Sequence, residues 1–145
     1  MAQSQYIPGV CNIGPAEIQM RRNLGYVGAL LTLALWTVFI LLRVPPVWRL
    51  TLFLPAFLSA NGFFQAALHF CSGFAMAGVF NFGAKVGDVI PVAKSTIDIQ
   101  SLGVPDESGA GAEFKRKDRQ KALQISLFSV LVGVGVALVG FFLFI

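Results

Sequence analysis

Charged residues are scarce in this chain: only 12% of its 145 residues are Asp, Glu, Lys or Arg. A soluble domain averages about 25%, so there is too little charge for a surface that faces water on every side. Histidine occurs once and cysteine twice. Two cysteines, Cys11 and Cys71, are too few for a disulfide framework. No Gly-rich phosphate loop, Gly-x-Ser-x-Gly or Cys-x-x-Cys is present, and these motifs mark nucleotide, acyl-transfer and dithiol chemistry. The apolar runs contain no carboxylate, so they hold no acid–base pair. An enzyme is therefore not expected. Residues 1–19 carry no basic segment followed by an apolar stretch, so they are not expected to be a cleavable signal peptide.

What is present is apolar. Hydrophobic residues make up 56% of the chain, and the mean hydropathy is +0.74. An integral membrane protein is expected. The net charge of +4 does not point to nucleic acid. The basic residues flank the apolar runs, as topology signals do, and are not interleaved with stacking aromatics. No nucleic-acid partner is expected.

Three runs are long enough to cross a bilayer. Residues 24–42 contain no charge and, as a helix, extend roughly 28 Å. Residues 50–70 form the second crossing, with residues 71–82 as an interfacial, re-entrant or helical extension. Residues 122–145 form the third. The fold class is thus an all-α integral membrane protein with three transmembrane helices and one domain. Residues 1–23 form an N-terminal interfacial segment, and residues 83–121 an irregular loop that ends in a basic helix start. Basic residues lie mostly in the N-terminal segment and the second loop, with only Arg43 and Arg49 in the first loop. The positive-inside rule then places the N-terminus in the cytoplasm and the C-terminus outside. The expected location is a membrane of the bacterial cytoplasmic type.

Local signals refine the runs. Pro15 suits the first position of a helix and Glu17 its positive end. Pro45 and Pro46 close a tight hairpin between the first two spans. Alternation at residues 89–92 and 97–99 suggests short extended pieces, and residues 105–109 read as a turn. Tyr26 and Trp48 suit the two membrane interfaces.

The second span carries the most suggestive pattern. On a helix of 3.6 residues per turn, Gln65, His69 and Ser72 fall within about 80° of Asn61. Gly62, Ala66 and Gly73 lie beside them. Phe53, Phe57, Phe63, Phe64, Phe70 and Phe74 occupy the other half, expected to face lipid. Polar side chains in hydrocarbon are costly without partners. The lane Asn61–Gln65–His69–Ser72 can therefore be packing glue between helices, the lining of a transport path, or a site holding haem or pigment through His69. His69, Cys71 and Cys11 are also candidate metal ligands, because His and Cys suit soft metals. His69 and Cys71 point about 200° apart on a continuous helix, so sharing a metal requires the helix to break there.

In the third span, Ser129, Gly133, Ala137 and Gly140 form a row of small residues suited to close helix contact. The cluster Lys115, Arg116, Lys117, Arg119 and Lys121 can meet anionic lipid headgroups. The reading that joins these features is a non-catalytic accessory or structural subunit of a membrane complex or homo-oligomer, in contact with lipid. A small oligomeric transporter or a metal, haem or pigment carrier is the alternative.

Overall fold

The computed structural model describes residues 6–91 and 110–143, except the side chains of residues 110 and 111. Helix α1 spans Pro15–Leu41. A short helix α2, Pro46–Arg49, and a 3₁₀ turn, Leu50–Leu52, lead into α3, Phe53–Ala67. Helix α4 is Ser72–Ala77. Strands β1, Val79–Phe80, and β2, Ile90–Pro91, pair antiparallel. Helix α5 spans Ala110–Phe142. Three helical stretches are long and apolar enough to cross a membrane: α1, Pro46–Ala67, and α5.

The helix ends follow their residues. Pro15 opens α1 with Glu17 in its first turn, as the sequence indicates. The chain then leaves α1 through Arg43, in the left-handed conformation with φ 50°. Val44 N–H reaches back to Phe39 C=O and Arg43 N–H to Ile40 C=O, the paired bonds that satisfy the last carbonyls of a helix. Pro46 starts the next helix, so the second crossing begins four residues before the expected position 50. It also ends earlier, at Ala67 rather than residue 70. His69 takes φ 53°, and Phe70 N–H bonds Gln65 C=O. The same type of stop closes α3. Helix α5 begins at Ala110, ahead of the basic cluster. Residues 71–82 become α4 and β1, neither a straight extension of α3 nor a single loop. Extended backbone occurs at Ile90–Pro91, whereas residues 97–99 and 105–109 lie outside the described residues.

Helix α3 is the centre. It packs against α1 on one flank and α5 on the other, while α1 and α5 make no comparable contact with each other. Glycine sets the approach. A Cβ on Gly28 would lie 2.7 Å from the Ser59 backbone nitrogen, and one on Gly62 2.7 Å from the Gly25 nitrogen. On the other flank Gly133 accepts Phe53 and Phe57, and Gly140 accepts Leu52. The phenylalanines of α3 thus do not form a lipid face. Phe53 and Phe57 seat against α5 and Phe63 against Gly25, and Phe70, past the end of α3, is fully buried. A ring fits where a glycine removes the opposing side chain, and Leu54 and Leu58 are exposed instead. At the far end, buried Arg49 donates to the carbonyls of Val44 and Gly140, placing a cation at the negative end of α5.

Candidate functional site: the polar end and its two cavities

Buried polar groups gather where α1 begins. Asn12, Glu17, Asn81 and Asp118 are each no more than 1% exposed, and each is tied to another segment. Buried polar groups are costly unless bonded. The Asn12 amide donates to Cys71 C=O at 3.0 Å and its carbonyl accepts from Cys71 N–H at 2.6 Å. Its backbone N–H donates to His69 C=O, and Asn81 N–H donates to its carbonyl. A parallel bridge joins Ile13 to Asn81.

The Asn81 amide donates to Glu17 Oε1 at 3.0 Å and to Lys85 C=O at 2.9 Å, and its carbonyl accepts from Gly83 N–H. Glu17 Oε1 also accepts from Gly87 N–H at 2.7 Å, while Oε2 stands 3.6 Å from Arg21. Arg21 in turn lies over the Phe74 ring. Further out, Tyr6 Oη donates to Asp118 Oδ2 at 2.8 Å and Gly9 N–H to Oδ1 at 2.7 Å. The Tyr6 ring stacks on Phe80. Burial, then the hydrogen bond to Asp118 and its charge, push the phenol well above its usual range. The N-terminal segment is therefore a strap laid across the end of the bundle.

The proposed intramembrane lane is divided. Gln65 and Ser72 meet, with Gln65 Nε2 donating to Ser72 Oγ at 3.0 Å, although they sit on separate helices. Asn61 Oδ1 and Gln65 Oε1 are buried and have no hydrogen-bond partner among the described residues. His69 is not on the helix at all. The turn at residues 68–69 carries its side chain out to the surface, so the four-residue spacing from Gln65 does not place it in the lane.

The metal set is not assembled. Among the described residues no three His, Cys, Asp or Glu side chains converge as a metal site. Cys71 is buried and Cys11 partly so, both as free thiols. The helix breaks where a shared His69–Cys71 site requires, but Cys71 turns inward and His69 outward. Burial raises both thiols above their usual range, which disfavours the thiolate that binds metal.

Of the packing residues, Gly62, Ala66, Ser129, Gly133, Ala137 and Gly140 are buried. Gly73 is not: it is exposed, with only Cys71 Sγ near a Cβ position. The residues of the basic cluster are exposed except Lys121, which is half-buried. Lys117 pairs with Glu113 at 2.7 Å. Asn12, Asn81 and Asp118 are not among the sequence candidates, and Glu17 enters the sequence reading only through its place in the first turn of α1. Asp118 was detectable, since continuing the buried row Ser129–Ile125–Ala122 one turn towards the N-terminus lands on it.

Two cavities lie along the α1–α3 cleft. A crevice of about 290 Å³ at the basic end is lined by Arg22, Tyr26, Phe63, Ala66, Ala67 and His69. A groove of about 460 Å³ lies between the helices further along, walled by α1, α3 and α5 and almost wholly apolar. Phe63 lines both. Comparison of the chain with protein-family models, curated proteins and solved structures finds no match.

Proposed function

We propose that this membrane protein is a non-catalytic accessory or structural subunit that works within a larger membrane complex or a homo-oligomer. One observation carries the reading: the buried polar side chains at the end where α1 begins are used to fasten the chain's own segments together. Asn12, Asn81, Glu17 and Asp118 bond to other segments of the chain. Reaction chemistry needs such groups converging on a cavity that admits a substrate, and the larger cavity here is apolar. The three helices form an open layer around α3, which leaves broad apolar faces on α1 and α5 for neighbouring helices. We place it in the bacterial cytoplasmic membrane with the strapped, basic end on the cytoplasmic side.

Purification from the native membrane in mild detergent, followed by native mass spectrometry, tests the reading. A heavier assembly containing other membrane subunits or further copies is expected. A lone chain at every detergent concentration overturns it.

A second reading, a small oligomeric transporter, draws support from the unpartnered oxygens of Asn61 and Gln65. It requires a flux in proteoliposomes that is lost in an Asn61→Ala/Gln65→Ala variant.

A further inference from the structure

The crevice and the groove are successive parts of one path. On α1, Arg22, Tyr26, Ala29 and Leu33 follow one another at spacings of four, three and four residues, which keeps them on one face. Ala56, Ala60, Phe63 and Ala67 repeat the same spacing on α3. Arg22, Tyr26, Phe63 and Ala67 line the crevice, while Ala29, Leu33, Ala56, Ala60 and again Phe63 line the groove. From Arg22 to Trp36, at the far end of the groove, α1 rises about 21 Å. One leaflet of hydrocarbon is roughly 15 Å deep, so the path is long enough for a headgroup and one acyl chain.

The chemistry changes along it in the matching order. Arg22 and His69 are exposed and make no side-chain hydrogen bond or ion pair among the described residues. Arg22 sits just before the charge-free run that starts at Leu24, so a span beginning there brings its guanidinium to the headgroup side of the hydrocarbon. Beyond the Phe63 ring the lining becomes Ala, Leu, Val and Phe, with the hydroxyls of Thr32 and Ser59 already bonded to Gly28 and Gly25 carbonyls and Trp36 at the far end, its indole N–H without a partner among the described residues.

We propose that the α1–α3 cleft holds one anionic phospholipid, its phosphate at Arg22 and His69 and one acyl chain in the groove. Arginine suits this position because its planar fork can grip phosphate oxygens in pairs. The basic cluster of α5 is a separate surface, so the lipid does not depend on it.

The test is lipid retention by the full chain in mild detergent, read by native mass spectrometry. Phosphatidylglycerol, phosphatidylcholine and inorganic phosphate are each added in turn, with thermal stability as a second readout. One phosphatidylglycerol per chain should be retained in preference to phosphatidylcholine, and it should raise the melting temperature. Arg22→Gln should weaken retention roughly fivefold, the effect of removing one basic contact at a membrane surface. Ala60→Phe fills the groove and should release the lipid; Ala29→Phe does the same from the α1 side if that variant folds poorly. Lys115→Gln/Arg119→Gln should change nothing. Equal retention of phosphatidylcholine overturns the proposal, as does loss of lipid in the α5 variant. Stabilisation by inorganic phosphate with no effect of groove filling also overturns it, in favour of a free anion. Retention of no lipid by the folded chain rejects it outright.

Discussion

His69 ends α3 in a left-handed conformation that glycine adopts freely and other residues at a cost of about 1 kcal/mol. Histidine tolerates that region better than most side chains, and the turn it makes buries Phe70 completely. His69→Gly is therefore expected to stabilise the protein by about 0.5–1 kcal/mol. A β-branched replacement, His69→Val, is expected to destabilise it by at least as much. Thermal unfolding in detergent checks both. The position also shows where sequence reading stops. Asn61, Gln65 and His69 keep helical spacing, and nothing in that spacing marks a helix stop when the stop residue is not glycine. The polar lane was legible as far as Gln65 and illegible from Leu68 onwards.

Helices in this chain meet through glycine, but a glycine in a span is not always at a helix contact. A Cβ at Gly28 would strike the backbone of Ser59 at 2.7 Å, whereas one at Gly135 meets nothing within 4 Å. Backbone cannot yield as a flexible side chain does, so Gly28→Val should separate α1 from α3 and cost roughly 1–3 kcal/mol. Gly135→Val should change stability by less than about 0.5 kcal/mol. Denaturation of the two variants side by side in one detergent decides the matter, and equal losses would contradict the packing described here. The length and apolar character of the three spans were readable from composition, because bilayer thickness fixes both. The contact row of α5 was readable from its small residues. The seating of Phe53, Phe57 and Phe63 was not: a phenylalanine facing a glycine notch and one facing lipid look alike until the neighbouring helix is in place.

Taken whole, the molecule is an open layer of helices whose basic end is strapped by its N-terminal segment. Only part of that strap was visible in the sequence. Asn12 and Asn81 are ordinary loop residues until they pair across nearly half the chain. The strap depends on a protonated phenol. Burial and Asp118 hold the Tyr6 pKa above the unfolded value, so its contribution is fully present below about pH 10. It is lost as the pH rises further and the folded phenol ionises beside a carboxylate. Proteolysis of residues 6–12, at matched protease activity, should accelerate only above about pH 10, and Tyr6→Phe should abolish that alkaline step while loosening the strap at neutral pH.

The strap also implies a timetable for synthesis. Tyr6 and Gly9 are made before their acceptor, Asp118, which follows 112 and 109 positions later. Closing so long a loop is only modestly costlier than closing a short one, because the entropy grows with the logarithm of length. The delay is therefore one of order. While α1 and α3 enter the bilayer, Tyr6 and Gly9 must wait without their acceptor, and their fastening records that α5 has arrived.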